Sequence, residues 1–269
     1  MAEPTGLIAN SGIELLTFGT PNGHKISIFL EELKEAYGIE YTVQSVNIMK
    51  NTQKQPWFTA INPNGRIPAI VDHNRGGFAV FEGLSILTYL ARHYDREHKF
   101  SFPVDSDDYS ICEQWIAWQH GGLGPMQGQA NHFLHAAPDP KIPYAIQRYV
   151  GESERLYGIL NARLADRDYV AGPGRGTYSI ADMSLIGWAG ISSFSGLDVA
   201  AQFPHVKAWI DRIYARPAVQ RGLRVPSGEL SRVSNVALQA SEEGRKHLEE
   251  TKKLVEKAKE QFGYKYSSP

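Results

Sequence analysis

Three short runs near the start of the chain carry side chains suited to holding a small anionic ligand. They are Thr20-Pro21-Asn22-Gly23-His24-Lys25, Asn62-Pro63-Asn64-Gly65-Arg66-Ile67-Pro68-Ala69-Ile70 and Phe81-Glu82-Gly83-Leu84-Ser85-Ile86-Leu87. The first run offers a hydroxyl and a carboxamide at a predicted helix start, where free N–H groups and the helix dipole stabilise anions. A thiol bound there would ionise more readily than in water. The run therefore predicts a thiolate site, although Thr20 and Asn22 would also serve as ordinary helix caps.

The protein itself supplies no thiol at this turn. A dithiol redox enzyme would place a C-x-x-C motif where this chain reads Thr20-Pro21-Asn22-Gly23. The one cysteine of the chain, Cys112, lies in a tryptophan-bearing segment and is predicted to be buried packing. Any sulfur chemistry at the turn must therefore use a thiol that the ligand brings.

The other two runs predict backbone contacts to a peptide ligand. A cis proline at Pro68, just before a short strand, would turn the backbone N–H and C=O of Ile67 towards such a ligand. Glu82 and Gly83 open a further helix, whose free N–H groups would hold a carboxylate. A glutamate at a helix start can also simply offset the helix dipole.

The elements that must position these runs form a recognisable order. Residues 14–18 and 41–46 predict two parallel strands, joined by a helix whose apolar stripe ends at Gly38. Residues 69–72 and 78–81 predict a hairpin, and a second helix follows it. A βαβ unit followed by a ββα unit is the thioredoxin-like arrangement, so we predict an α/β thioredoxin-like domain at residues 13–95.

Every strong periodic signal beyond residue 107 is helical, so we predict an all-α domain at residues 107–224. Gly121–Pro125 is expected to break its first helix, and a capping box at Ser179–Asp182 is expected to open a buried helix reaching Phe194. The segment 225–269 is predicted to be a helical extension, with one long helix at about residues 233–262. That helix would either pack on the body or a partner, or remain largely solvated.

Composition excludes several classes of function. The 269 residues have a formal net charge of −1, so nucleic acid is an unexpected partner. Neither a signal sequence at residues 1–12 nor an apolar run long enough for a membrane helix is present, and a single cysteine fits a reducing compartment. A cytoplasmic protein is therefore predicted. No metal is expected, because His132 and His135 lack further ligands at firm spacing.

Together with residues 121–133 and 142–149, the first two runs resemble the Nu-class glutathione transferases. That class contains bacterial glutathione-dependent disulfide-bond oxidoreductases and the transferase-like domain of a yeast nitrogen regulator. The resemblance covers about residues 13–223 and leaves the C-terminal extension outside. It implies the glutathione transferase fold, a homodimer, and binding of glutathione or glutathione disulfide together with a small disulfide or electrophile.

The resemblance also implies roles for individual residues. Thr20 and Asn22 would act on the sulfur as the catalytic pair, and Arg148 would reach a carboxylate of a second glutathione. The positions implied for binding glutathione are Gln53 at the glycyl end, Ile67 at the cysteinyl backbone, and Glu82 and Gly83 at the γ-glutamyl end, together with Arg66 and Pro68. From the residues of the helical part, Trp118, Gln127, Asn131 and Phe133 are expected to face the cleft for the second substrate.

One position departs from the family pattern. The usual Glu-Ser pair reads Glu82-Gly83, so a hydroxyl that meets the γ-glutamyl carboxylate is missing. Loss of one hydrogen bond to a charged group costs roughly 1.5–3 kcal/mol, so Gly83→Ser is expected to tighten glutathione binding. Three functions stay open: a disulfide reductase, favoured because the turn carries an amide, a conjugating transferase, and a non-catalytic glutathione-binding regulator.

Overall fold

The first part of the chain folds around a mixed four-stranded sheet. The computed structural model describes residues 4–263. The strands are β1 (Ile13–Thr17), β2 (Tyr41–Ser45), β3 (Ala69–Asp72) and β4 (Phe78–Phe81), in the order β2-β1-β3-β4. β1 is parallel to β2 and antiparallel to β3, and β3 is antiparallel to β4. The predicted βαβ and ββα units are confirmed.

Helix α1 (Pro21–Tyr37) connects β1 to β2 and begins at the turn with the predicted thiolate site. Pro21 occupies a first-turn position, where a missing N–H does no harm. Gly38 ends the helix with a left-handed φ of 70°, which glycine adopts without strain. The apolar stripe of α1 is fully buried at Ile26, Phe29, Leu30 and Leu33. This burial fixes the start of α1 relative to the sheet.

The rest of the chain is helical, as predicted. Helix α2 (Pro56–Thr59) precedes β3, and α3 (Gly83–Tyr94) follows β4 and packs on α1. The later helices are α4 (Asp107–Trp118), α5 (Gly124–Asn131), α6 (Pro143–Arg163), α7 (Ile180–Ala189), α8 (Val199–Gln202), α9 (Pro204–Tyr214), α10 (Pro217–Gly222), α11 (Asn235–Ala240) and α12 (Glu242–Phe262). None of the helices within residues 4–263 has an apolar stretch that would span a bilayer.

The glycine-rich run at Gly121–Pro125 does not break the helix, contrary to the prediction. A π-helical turn at Gln119–Leu123 joins α4 to α5, and a second one at His132–Ala136 follows α5. Pro125 lies directly after this wider turn, at the second residue of α5. Because a π turn contains an extra residue, the side chains after it point in directions that an unbroken α-helix would not give.

Two further helix predictions were wrong in their bounds. Helix α7 ends at Ala189, and the chain continues into a short 3-10 turn at Ser192–Ser195. The predicted single helix of the extension is divided at Ser241, which is extended and accepts a hydrogen bond from the N–H of Gly244 at 3.0 Å. That bond caps α12 and makes it a separate helix.

Helix α12 packs along α6, so the body of the protein covers its apolar stripe. Thr251, Val255 and Ala258 are buried there, and Lys259 forms an ion pair with Glu154. Of the two alternatives for this helix, packing on the body is therefore the observed one. Residues 264–269 of the predicted extension and the first three residues of the chain lie outside the described part.

Close helix contacts join the sheet half of the molecule to its helical half. A Cβ atom at Gly187 of α7 would lie 2.5 Å from the carbonyl oxygen of Pro21, and one at Gly222 of α10 would lie 2.6 Å from the Cα of Ile28. Glycine at these positions lets α7 and α10 approach α1. As a result, the residue after Gly187 reaches the turn that opens α1.

Candidate active site

A cavity between the sheet half and the helical half brings parts of all three runs together. Its sheet side is lined by Asn22, Lys25, Asn62, Asn64, Arg66, Ile67, Pro68, Glu82 and Gly83. Its helical side is lined by Gln119, His120, Gly124, Pro125 and Trp188. Residues up to 166 positions apart in the sequence therefore meet at one small polar site.

The turn that opens α1 presents the side-chain amide of Asn22. The oxygen of Thr20 accepts a hydrogen bond from the N–H of Gly23 at 3.1 Å, so Thr20 caps the helix as the simpler interpretation predicts. Trp188 donates its indole N–H to Oδ1 of Asn22 at 3.2 Å. This bond fixes the amide and leaves the NH2 group of Asn22 as the available donor, since it has no partner among residues 4–263.

The second run shapes the wall next to Asn22. The Ile67–Pro68 peptide bond is cis, as predicted. Buried Asn62 holds the loop before it, donating to the carbonyl of Arg66 at 2.6 Å and accepting from the N–H of Asn64 at 3.0 Å. Within the described chain, no hydrogen bond occupies the backbone N–H or C=O of Ile67. Both groups therefore remain for a peptide ligand.

The third run leaves the start of α3 open. Glu82 has a φ of 69°, a region that non-glycine residues rarely adopt and that costs on the order of 1–3 kcal/mol. Its carboxylate accepts from the side-chain amide of Asn64 at 3.2 Å. No side chain caps α3, and no acidic residue lies in its first turn. The free N–H groups and dipole of α3 are thus available to a carboxylate from outside the chain.

A buried lysine faces the same cavity. Lys25 is 1% exposed and donates to Oε1 of Gln119 at 2.6 Å. Burial lowers the pKa of Lys25 to about 7, while the carboxylate of Glu82 acts in the opposite direction. The cavity therefore contains an acidic group, a basic group of low pKa and an open helix start within one small volume.

His120 completes the helical wall. Its Nδ1 lies 3.1 Å from the carbonyl oxygen of Ile116, and because a carbonyl only accepts, Nδ1 carries the proton. Burial, together with the nearby charge of Lys25, lowers the pKa of His120 to about 4. The ring is therefore neutral near pH 7, and its Nε2 atom is a hydrogen-bond acceptor.

Comparisons with known proteins identify the family of this chain. Residues 11–92 match the model of the glutathione S-transferase N-terminal domain, and residues 138–217 match that of the C-terminal domain. The chain is 42% identical over 215 residues to "Disulfide-bond oxidoreductase YfcG" of Escherichia coli, covering 78% of this chain and 94% of that protein. The chain belongs to the glutathione S-transferase family.

Solved structures of relatives carry the same fold. A glutathione transferase homologue from Lodderomyces elongisporus, described with two GSH per subunit, gives a TM-score of 0.74 at 42% identity and covers 80% of this chain and 99% of that one. A glutathione transferase from Pseudomonas putida, described with one glutathione disulfide per subunit, gives 0.72 at 34% identity, covering 81% and 93%. The glutathione transferase fold predicted from the sequence is confirmed.

In this glutathione S-transferase, the cavity includes six of the residues predicted for sulfur or glutathione. They are Asn22, Arg66, Ile67, Pro68, Glu82 and Gly83. Thr20 lies beside the cavity as a cap, and Gln53 lies next to Gly65 with its Oε1 buried and without a hydrogen-bond partner among residues 4–263. Arg148 lies on α6, outside the cavity lining, where its charge helps Arg155 to lower the pKa of Glu152.

The residues expected to face the second-substrate cleft do not line this cavity. Gln127 is completely buried and bonded to Trp188, Ser195 and Tyr157, so its assignment to the cleft was wrong. Trp118 packs edge-on against Trp115, Phe133 stacks on Tyr149, and Asn131 has a buried Oδ1. The helical wall of the cavity is formed instead by Gln119 and His120, which open the π turn, and by Pro125, which follows it.

Eight residues that line the cavity had no assigned role in the sequence-based prediction: Lys25, Asn62, Asn64, Gln119, His120, Gly124, Pro125 and Trp188. Lys25 belongs to the first run and lies one helical turn from Asn22, so its spacing was a usable signal. Trp188 had no such signal, because it reaches Asn22 from a helix 166 residues further along the chain. Only the close approach of α7 to α1 brings these two side chains together.

The remaining polar candidates are structural. Cys112 is 1% exposed, and burial raises the pKa of its thiol to about 12, so it is the buried packing residue that was predicted. Asp182 accepts from the N–H of Ser179 at 3.1 Å in the predicted capping box. Within residues 4–263, no cluster of three histidine, cysteine or acidic side chains has a geometry suited to a metal ion.

Proposed function

We propose that this glutathione S-transferase is a glutathione-dependent disulfide-bond reductase. The observation that carries the proposal is the turn at the start of α1, where Trp188 orients the amide of Asn22 and no protein thiol is present. The thiol of Cys112 is buried and has a pKa of about 12, which makes it a poor nucleophile at neutral pH. The reacting sulfur is therefore that of bound glutathione.

The proposed ligand pose follows from the open groups of the cavity. The N-terminus of α3 takes the γ-glutamyl carboxylate, and the backbone of Ile67 pairs with the cysteinyl residue. The NH2 group of Asn22 donates to the cysteinyl sulfur, with the hydroxyl of Thr20 as a second donor. Gln53 receives the glycyl end, and Arg66 and Pro68 flank the peptide. These donors favour the thiolate over the thiol.

The reaction is thiol–disulfide exchange in two steps. The glutathione thiolate attacks one sulfur of the substrate disulfide, forming a mixed disulfide and releasing a thiolate that takes up a proton. A second glutathione thiolate attacks the glutathione sulfur of the mixed disulfide, giving glutathione disulfide and the second substrate thiol. Two glutathiones are oxidised for each disulfide reduced, and we assign Arg148 to a carboxylate of the second one.

Relatives support this chemistry. Two of them, YfcG and YghU of Escherichia coli, are named disulfide-bond oxidoreductases, at 42% and 36% identity. The Lodderomyces and Pseudomonas structures are described with two glutathiones and with one glutathione disulfide per subunit, respectively. Both descriptions suit a site in which two glutathione sulfurs meet.

The arrangement of the molecule in solution is part of the same proposal. We assign a glutathione-binding domain to residues 13–95, a helical domain to residues 107–224 and an extension to residues 225–269. We also propose that the protein forms a homodimer and is located in the cytoplasm. Strand β4 lies at the sheet edge, and its Phe78 is 56% exposed, which suits an edge covered by a second copy. Sedimentation of the purified protein tests the dimer.

The test of the function compares two reactions of one preparation. Reduction of a small mixed disulfide by glutathione is coupled to glutathione reductase, and conjugation of a chloronitrobenzene is measured beside it. The proposal predicts fast reduction with feeble conjugation. The reverse result would make the protein a conjugating transferase, and inactivity in both assays with glutathione still bound would make it a binding or regulatory protein.

A further inference from the structure

Gly83, at the start of α3, is not required by the backbone conformation of that position. The φ of Gly83 is not in the left-handed region, so an L-residue would fit the backbone there. A Cβ atom at Gly83 would instead lie 3.0 Å from Nε2 of His120 and 3.6 Å from Cδ of Lys25. The glycine therefore makes room for His120, and residues 83 and 120 form one steric unit.

The ring of His120 is held so that one of its nitrogens faces Gly83. Nδ1–H donates to the carbonyl of Ile116 one helical turn earlier, so the ring cannot present that nitrogen to the cavity. Nε2 is the atom beside Gly83, and it has no hydrogen-bond partner within residues 4–263. This partly exposed acceptor at the rim of a polar cavity is available to a donor group on a ligand.

The surrounding charges define what that donor is. The carboxylate of Glu82 and Nε2 of His120 are acceptors, whereas the open start of α3 and the ammonium of Lys25 favour an anion. A ligand end with an ammonium group and a carboxylate on one carbon satisfies both sets. The γ-glutamyl end of glutathione has this chemistry.

We propose that His120, which occupies the space that Gly83 leaves open, is a specificity-determining residue of the γ-glutamyl subsite and accepts a hydrogen bond from the α-ammonium group of the ligand. The proposal rests on the glutathione-dependent function proposed above. It reverses one expectation from the sequence, because a serine at position 83 would crowd His120 before its hydroxyl could help. A serine at position 83 should therefore support glutathione binding only when His120 is replaced by a residue that leaves it room.

A double-mutant cycle tests the steric coupling. Calorimetry with reduced glutathione is run on the wild type, Gly83→Ser, His120→Leu and the double variant, and thermal midpoints confirm that each is folded. We expect each single change to weaken binding about 5- to 20-fold, and the double variant to return to within about 3-fold of the wild type. Binding by Gly83→Ser as tight as that of the wild type, or additive losses in the cycle, would overturn the proposal.

A ligand analogue tests the hydrogen bond itself, including the case in which Gly83→Ser does not fold. The analogue is glutaryl-cysteinyl-glycine, which is glutathione without its α-amino group. The wild type should prefer glutathione over the analogue by about tenfold more than His120→Leu does, and His120→Gln, whose amide oxygen also accepts, should retain most of the preference. An unchanged preference in His120→Leu overturns this inference alone, whereas a wild type that binds no glutathione overturns the proposed function as well.

Discussion

Two helix starts in this protein are built from similar polar residues and are used in opposite ways. At the start of α7, the carboxylate of Asp182 accepts from the N–H groups of Ser179 and Val170 and from the indole of Trp209, all in the interior. At the start of α3, Glu82 turns its side chain to Asn64, and no side chain caps the helix. The first start is closed by the chain itself, and the second is left for a ligand.

The comparison shows what makes a helix start a binding site. Free N–H groups and a dipole belong to every helix, so they cannot distinguish the two positions. The difference lies in which acceptor the fold provides: a buried acid within the first turn of α7, and none within the first turn of α3. The uncapped start of α3 lowers the stability of the ligand-free protein slightly. The carboxylate of a bound ligand would supply the missing acceptor.

Removal of the closing acid should have the largest effect. Asp182→Ala removes the shared acceptor of four buried donors, and we expect the free energy of unfolding to fall by about 3–5 kcal/mol. Denaturant unfolding measures this loss. Ser106→Ala, which removes the partly exposed cap of α4, is the matched control and should cost about 1 kcal/mol. Equal losses of unfolding free energy in Asp182→Ala and Ser106→Ala would show that the buried acid of α7 is no more important than an ordinary helix cap.

A substitution in the open site should change the activity of the protein rather than its stability. Asn22→Ala removes the oriented amide donor, and we expect the rate of disulfide reduction to fall about 10- to 100-fold because a hydrogen bond to a charged sulfur is lost. The side chain of Asn22 is exposed, so the free energy of unfolding should change by less than about 1 kcal/mol. Unchanged turnover would remove Asn22 from the mechanism.

Much of this contrast could be predicted from the sequence, and the reasons are local. The capping box at Ser179–Asp182 and the glycine that ends α1 depend on residues within one turn of each other. The cis proline and the open start of α3 likewise lie within single short runs. The strands followed from short apolar runs between turn signals. These features need little information from the rest of the chain.

The helical wall of the site could not be predicted in the same way. His120 and Gln119 line the cavity from the start of a π turn, and the sequence of that turn resembles a helix breaker. Trp188 depends on the packing of α7 against α1 through Gly187. Gln127 carries a polar side chain on the same long helical segment but satisfies all its bonds in the core. Tertiary packing decides each of these cases.

The buried lysine of the open site should make stability depend on pH. Burial lowers the pKa of Lys25 in the folded protein to about 7, against about 10.4 in the unfolded chain. Between these values the unfolded state binds the extra proton, so the free energy of unfolding of the ligand-free protein should rise with pH, by at most about 1.4 kcal/mol per unit.

Lys25→Met should remove that rise and stabilise the ligand-free protein at pH 7 by about 1 kcal/mol, because a buried charge is replaced by an apolar chain of similar shape. Denaturant unfolding at several pH values from neutral to alkaline gives both results. The same pH dependence in Lys25→Met and the wild type would mean that Lys25 is not the group responsible.

Closing the open helix start should have the smallest effect, with opposite signs in stability and binding. Ser85 is exposed in the first turn of α3, and Ser85→Asp adds the acid that this turn lacks. We expect a gain of about 0.5 kcal/mol in the free energy of unfolding and glutathione binding that is about 3-fold weaker. Ser85→Asn is the uncharged control. Tighter glutathione binding by Ser85→Asp would contradict the role given to α3.

The proposed reaction depends on the turn at Asn22, which must ionise the sulfur of bound glutathione. The most direct measurement is a pH titration of thiolate ultraviolet absorbance for glutathione bound to Cys112→Ser, in which the ligand carries the one thiol. We predict a midpoint about two pH units below that of free glutathione, moving back towards the free value when Asn22→Ala is added. A bound midpoint equal to that of free glutathione would contradict the claim.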